Sequence, residues 1–414
     1  MRVPTILRVG FTAVAGLGSL SGALAWGAAG HEITATIAQI HLDPRVLPVL
    51  CSILYPDSDI SQPCNLASVA SWADKIRYRA RWSAPLHYVG ALGDHPSDTC
   101  MFPGTRGWAG HEGGNVLSAI RNVTTILDDF VQAGAARTAD DTDLAQEALK
   151  FLIHFVGDMH QPLHLTGRDR GGNGVKVSWD GRVTNLHSLW DGLLIAKALR
   201  SLPRSSNYSR PLPVPEVENA LRGAIYDPYI RKLMWEGVGV GPYSQRKARW
   251  EDDAEGWLAC PTPDAPVQPS SLFGGVKQAF LGLLPRRTTP APGPPQTTDD
   301  DALCPYAWAA PLHKLNCDLV WPKELDDPHY RAASSDVQDI HLHHGSTVED
   351  EVRAVDMRVG TAEANEGRYL ELDTPEYAGR IEREWVVEKL LAMGGVRLAA
   401  VLNGIFIPFV ERSA

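Results

Sequence analysis

Apolar residues recur at three- and four-residue spacing in four stretches: Glu32 to Leu42, Gly113 to Ala133, Leu144 to Asp158 and Tyr377 to Phe406. That period predicts amphipathic helices, each with one face committed to a core. Period-two alternation is scarce. Its clearest instance, Gly174-Val-Lys-Val-Ser-Trp-Asp-Gly-Arg-Val-Thr, surrounds an Asp-Gly pair and predicts a small β-hairpin. The expected fold is therefore mainly α, a single helical domain over 26–414 with one hairpin. Two stretches break the pattern. Pro, Thr, Ser and Gly dominate between Pro261 and Asp301, and charge is high with weak periodicity from about Asp326 to Gly367. Both read as solvated insertions, near 261–303 and 326–367, because helical pattern resumes after each and the last helix is too short to fold alone.

The first 25 residues follow another logic. Arg2 and Arg8 accompany an apolar run from Phe11 to Leu24, and Ala23-Leu24-Ala25 presents small residues as a cleavage site. The run is shorter than the ~18 to 20 residues a bilayer span needs. A signal peptide over 1–25, a mature chain starting at Trp26 and secretion are the expectations, with no later stretch expected to cross a membrane. An oxidising destination suits Cys51, Cys64, Cys100, Cys260, Cys304 and Cys317 as three disulfides, their pairing left open. Asn122-Val-Thr and Asn207-Tyr-Ser are glycan sequons. The formal charge of -10 excludes a general electrostatic attraction to nucleic-acid phosphates, so any grip on phosphate must be local.

Candidate chemistry concentrates between residues 154 and 191, which hold four of the fourteen histidines. His154 and Asp158 are four apart, so a helix stacks them on one face. Pro162 ends that helix, and His164 follows where the chain can turn back. His187 and Asp191 repeat the spacing. Zinc takes both His nitrogen and Asp oxygen. His160 falls off the His154/Asp158 face and reads as structural, and His341, His343 and His344 read as surface residues.

In these residues the chain resembles the secreted, zinc-dependent, single-strand-specific nucleases of fungi and plants. The resemblance also runs through Trp26-Gly-Ala-Ala-Gly-His31, Ser71-Trp-Ala-Asp74-Lys-Ile-Arg77, Leu86-His87-Tyr88 and Gly395-Val-Arg-Leu-Ala-Ala-Val-Leu-Asn403. It implies a mainly α fold of the zinc phospholipase C and single-strand nuclease type, holding three Zn2+ ions. One zinc would take Asp74, His87, His154 and Asp158. A second would take Trp26, through its freed α-amino and carbonyl groups, with His31 and the shared Asp158. A third would take His164, His187 and Asp191. Asp74 would also hold the attacking water and Arg77 would stabilise phosphoryl charge, while Tyr88 and Arg170 would flank a base, with Asn173 either hydrogen-bonding the ligand or holding the turn. One departure stands out: where several members carry a base-binding Asp, this chain has Gly90. The implied activity is hydrolysis of single-stranded DNA and RNA to 5'-phosphorylated products, with 3'-nucleotidase action on nucleotides, by a monomer without stable membrane association. Zinc phospholipase C and a non-catalytic zinc-binding protein are the alternatives. The former family ends its last ligand pair in Glu rather than Asp191.

Overall fold

The structure, a computed structural model, describes residues 26–56, 64–103, 107–110, 113–202, 212, 215–221, 224–239, 247–260, 299–300, 302–335 and 367–413. The expected signal peptide, the Asn207 sequon, His341, His343, His344 and most of both expected insertions lie outside these residues. The helices up to the hairpin are α1 (Ala28–His41), α2 (Val46–Leu54), α3 (Ala67–Ala70), α4 (Trp72–Ile76), α5 (Val116–Ala133) and α6 (Ala139–Met159). After it come α7 (Leu186–Ser188), α8 (Leu194–Ser201), α9 (Pro215–Leu221), α10 (Asp227–Lys232), α11 (Pro305–Leu315), α12 (Pro328–Ser335), α13 (Ala378–Glu384) and α14 (Val386–Ser413).

Local sequence explains where the long helices start. Asn115 caps α5 by accepting from the Leu117 and Ser118 amides, and the Ser118 hydroxyl returns to the Asn115 amide. Thr138 and Asp141 form the same reciprocal box at α6, whose first turn also carries Asp140, acids favoured by the helix dipole. The α6 helix stops at Met159, ahead of Pro162. The hairpin pairs β1 (Lys176–Trp179) with β2 (Arg182–Asn185), Lys176 opposite Asn185. Asp180 and Gly181 take positive φ (50° and 71°), the turn geometry for which Asp-Gly is suited. The Glu371 carboxylate clasps that turn, accepting from the Asp180 and Gly181 amides and the Ser178 hydroxyl.

The core gathers around α1, α6 and α14. Gly395 lets α14 lie close against α1: a Cβ there would stand 2.5 Å from Ile37 Cγ2. Two expectations need correction. The last apolar stretch is not one helix, since Trp385, at φ 56°, breaks α13 from α14. And α14 is in fact long and apolar enough to cross a membrane, an 18-residue window within Val386–Arg412 having mean hydropathy 1.9, although 78% of that window is buried within the protein. Its apolar faces are spent on α1, α5 and α6, and it carries Glu388 and Arg397 into the interior. The disulfides pair Cys51 with Cys64, Cys100 with Cys317 and Cys260 with Cys304.

Candidate metal centre

Four chain segments converge on Asp158. From α6 come His154 and Asp158, both fully buried. From α1 comes His31, whose Nε2 lies 3.3 Å from Asp158 Oδ1 and whose ring stacks on His154 at 3.8 Å between centroids. Room for that ring is made by Gly157, where a Cβ would meet His31 Nδ1 at 2.7 Å. The α4 turn brings Asp74, its Oδ1 3.7 Å from His154 Nε2 and 3.9 Å from His87 Nδ1, with Arg77 Nη1 3.8 Å away. The 3-10 helix Arg81–His87 delivers His87, with Nδ1 2.9 Å from Asp158 Oδ2 and 3.1 Å from His154 Nε2.

A second group forms beside the first. His164 sits on the 3-10 turn Pro162–Leu165, and its Nε2 faces His187 Nε2 at 3.2 Å. Asp191 lies on a π-helical turn, Leu189–Leu193, with Oδ2 3.2 Å from His187 Nε2. Such wide turns re-aim side chains and recur at functional sites. Trp26 is buried at the junction of the groups: its side chain covers Gly30, and the next amide, of Gly27, donates to the Asp191 carbonyl.

The hydrogen bonds assign the imidazole protons. His154 Nδ1 donates to the Ala70 carbonyl at 2.7 Å, His164 Nδ1 to that of His87 at 2.6 Å, and His187 Nδ1 to that of Gly171 at 2.6 Å. Each neutral ring then turns a bare Nε2 lone pair toward its neighbours, the arrangement that orients metal-binding histidines. Burial, reinforced by neighbouring imidazoles, holds His31 and His87 well below the usual histidine pKa, and burial lowers His154 as well. Asp158 is pushed the other way, by burial first and then by Asp74 and Asp191.

A cation resolves these conflicts. The nitrogens of His31, Asp74 Oδ1 and Asp158 Oδ1 are buried with no hydrogen-bond partner. Two Nε2 lone pairs facing each other at 3.2 Å repel, yet two nitrogens on one tetrahedral zinc, each about 2.05 Å from it, lie about 3.3 Å apart. Within the first group His87, His154 and Asp158 can share one ion, as can His31, Asp74 and His154; the second group is His164, His187 and Asp191. The donor set fits zinc. A further trio, Asp94, Cys100 and His313, does not, because Cys100 is tied up with Cys317.

The residues expected to contact substrate adjoin the two groups along the chain, Tyr88 following His87 and Arg170 preceding Gly171, whose carbonyl accepts from His187. Tyr88 and Arg170 are exposed and Asn173 half-buried, its amide donating to the Arg170 carbonyl at 3.0 Å. Their segments run side by side: the Val89 amide donates to the His164 carbonyl, and Gly90 lies against Gly167. A Cβ at Gly90 would stand 2.8 Å from both Gly167 Cα and N, so no Asp fits there without parting the two backbones. Nor does Asp94 take over, since it is held by the Met101 amide, the Thr166 hydroxyl and His313.

A family model described as S1/P1 nuclease matches residues 26–225. Endonuclease 4 of Arabidopsis thaliana is 33% identical over 65% of this chain and 80% of its own length, and nuclease P1 of Penicillium citrinum is 32% identical over 60% and 87%. The chain belongs to the S1/P1 nuclease family. Endonuclease 2 of Arabidopsis thaliana is 37% identical across 44% of this chain, a match spanning 60% of the relative. The family is one of zinc-dependent hydrolytic nucleases, with nucleic acid as substrate.

Around the centre of this S1/P1 nuclease stand supporting residues, of which the sequence pattern marked only His160. Gln161 donates to Asp191 Oδ1 at 2.7 Å and accepts from the Leu163 amide; its place between α6 and Pro162 was the available hint. His160 is structural: its Nδ1 donates to Val156 and its Nε2 accepts from Arg397 of α14 at 2.9 Å. Arg168, buried, binds the Pro96 carbonyl, Ser97 and Asp326, anchoring the loop that carries Arg170.

Proposed function

We propose that this S1/P1 nuclease hydrolyses single-stranded DNA and RNA to 5'-phosphorylated products and removes 3'-phosphates from nucleotides, using three zinc ions. The observation that carries the reading is the set of unprotonated imidazole nitrogens gathered around Asp158 and Asp191, with the buried Asp74 and Asp158 oxygens that lack a hydrogen-bond partner. Asp74, His87, His154 and Asp158 hold one ion; Trp26, His31 and Asp158 a second; His164, His187 and Asp191 a third. Bound zinc supplies Lewis-acid stabilisation of phosphate charge and lowers the pKa of water toward about 7. Asp74 orients the attacking water through Oδ1, and Arg77, buried beside it, offers its guanidinium to the phosphoryl oxygens. Tyr88 and Arg170 flank the base, with Asn173 holding the turn that follows Arg170. A base enters such a slot only after leaving its stack, which favours single strands.

Cleavage after Ala25 completes the site. Burial of Trp26 beside Asp191 supports this, because a freed α-amino group there loses its proton to a metal at modest cost, its ordinary pKa being about 7.7 to 8.0. The enzyme is accordingly secreted, and residues 26–414 act as one monomeric catalytic domain without stable membrane association. The test is zinc stoichiometry on signal-cleaved protein, with single-stranded DNA, RNA and phosphatidylcholine hydrolysis followed before and after chelation. About three zincs and chelator-sensitive cleavage of nucleic acid support the proposal. Lipid cleavage alone, or metal without turnover, refutes it.

A further inference from the structure

Beside the metal centre the chain departs from its acidic average. Lys75, Arg77, Arg79 and Arg81 follow Asp74, and no carboxylate occurs again before Asp94, in a protein with 39 basic against 49 acidic residues. Trp82 lies in this basic stretch and is 61% exposed. Its indole is nonetheless anchored: the ring meets Phe151 edge-on at 5.8 Å, Phe151 stacks on Phe155 at 5.0 Å, and Phe155 meets the ring of His87 at 5.2 Å. Trp82 and His87 share one 3-10 helix, so at about 2 Å per residue they are about 10 Å apart along it. Lys150, adjacent to Phe151 on α6, adds a cation 5.2 Å from the Trp72 ring on the same aromatic cluster.

We infer that Trp82 is a stacking platform for a base further along a bound single strand than the nucleotide being cleaved, with Arg79, Arg81 and Lys150 neutralising the phosphates that lead to it. The inference rests on the nuclease reading above. Exposed aromatics interleaved with cations hold single strands without sequence preference, because every base offers a π-face while the backbone supplies the charge. The anchoring rings keep the indole fixed, so little side-chain freedom is lost when a base settles on it. The local positive charge matches a polyanion, whereas the rest of this acidic chain does not.

The experiment compares a homopolymeric single-stranded DNA with a dinucleotide too short to reach Trp82, for zinc-loaded wild type, Trp82→Ala and Trp82→Phe. The expected result is a fall of about tenfold in the ratio of kcat/KM values, long strand over dinucleotide, for Trp82→Ala. The loss should lie in KM, and Trp82→Phe should recover most of it. Arg79→Ala with Arg81→Ala should flatten the dependence of log KM on log salt by about 0.7 per lost phosphate contact. An unchanged ratio in Trp82→Ala overturns the inference while leaving the nuclease reading intact. So does an equal loss on both substrates, or a loss confined to binding of phosphatidylcholine vesicles. Failure of the wild type to cleave either nucleic acid overturns both.

Discussion

Replacing Gly157 by alanine sets two effects against each other. In a helix interior alanine is favoured over glycine by about 1 kcal/mol, an upper bound here because Gly157 lies in the last turn of α6, which ends at Met159. The added Cβ, however, would stand 2.7 Å from His31 Nδ1 and 3.0 Å from Cε1. Carbon contacts are optimal at about 3.5 to 4.0 Å, so the ring or the helix must move by about 1 Å. Neither yields freely, because His31 is fully buried and stacked on His154. Overpacking of this kind costs about 1 to 3 kcal/mol, which the gain in helix propensity offsets only in part. The metal-free protein should therefore lose about 0 to 2 kcal/mol, a fall of a few degrees in Tm. The functional loss should be larger, since His31 Nε2 no longer faces Asp158 Oδ1. A misplacement near 1 Å costs on the order of a hundredfold in rate, and zinc content should drop by one ion per chain. Melts with and without chelator, zinc per chain and initial rates on single-stranded DNA measure all three. Full zinc content with wild-type rate would show that His31 is no ligand. A metal-free variant more stable than wild type would show that the clash does not exist.

Three other outcomes are expected. Gly90→Asp should lower Tm by the equivalent of at least about 1 kcal/mol, because its Cβ enters the Gly167 backbone; an unchanged Tm with a new base preference would contradict this. Arg397→Met should cost about 1 to 3 kcal/mol in chelated protein by leaving the buried His160 Nε2 and Trp257 carbonyl without a donor, and an unaltered urea midpoint would rule that out. In chelated wild type, stability should decline as pH falls below about 6.5. Burial, then the Arg397 charge, lowers the folded-state pKa of His160 to about 3, so between these values the unfolded chain binds the extra proton. His160 alone should account for about 3 kcal/mol by about pH 4, and a flat profile from pH 7 to that point would show that the buried ring does not resist protonation.

Much of this protein was legible in the chain because it depends on neighbours in sequence. The spacing of His154 with Asp158 and of His187 with Asp191 follows from helical geometry, and the Asp180-Gly181 turn from backbone preference. Caps, the Pro162 stop and the candidate ligand residues are likewise local or motif-borne. Pairings between remote segments carry no local mark. The partners of the six cysteines, the Gly27 amide on Asp191, the Arg397 to His160 bond across 237 positions, and the abutment of Gly90 on Gly167 exist only once the helices pack. Hydropathy left α14 equally suited to a bilayer or a core; contact with α1, α5 and α6 decided for the core. The imidazole protons show the division best. Sequence names the histidines, but the carbonyls of Ala70, His87 and Gly171 select the nitrogen that each one turns toward the candidate metal centre, and those carbonyls belong to backbone that any residue type supplies.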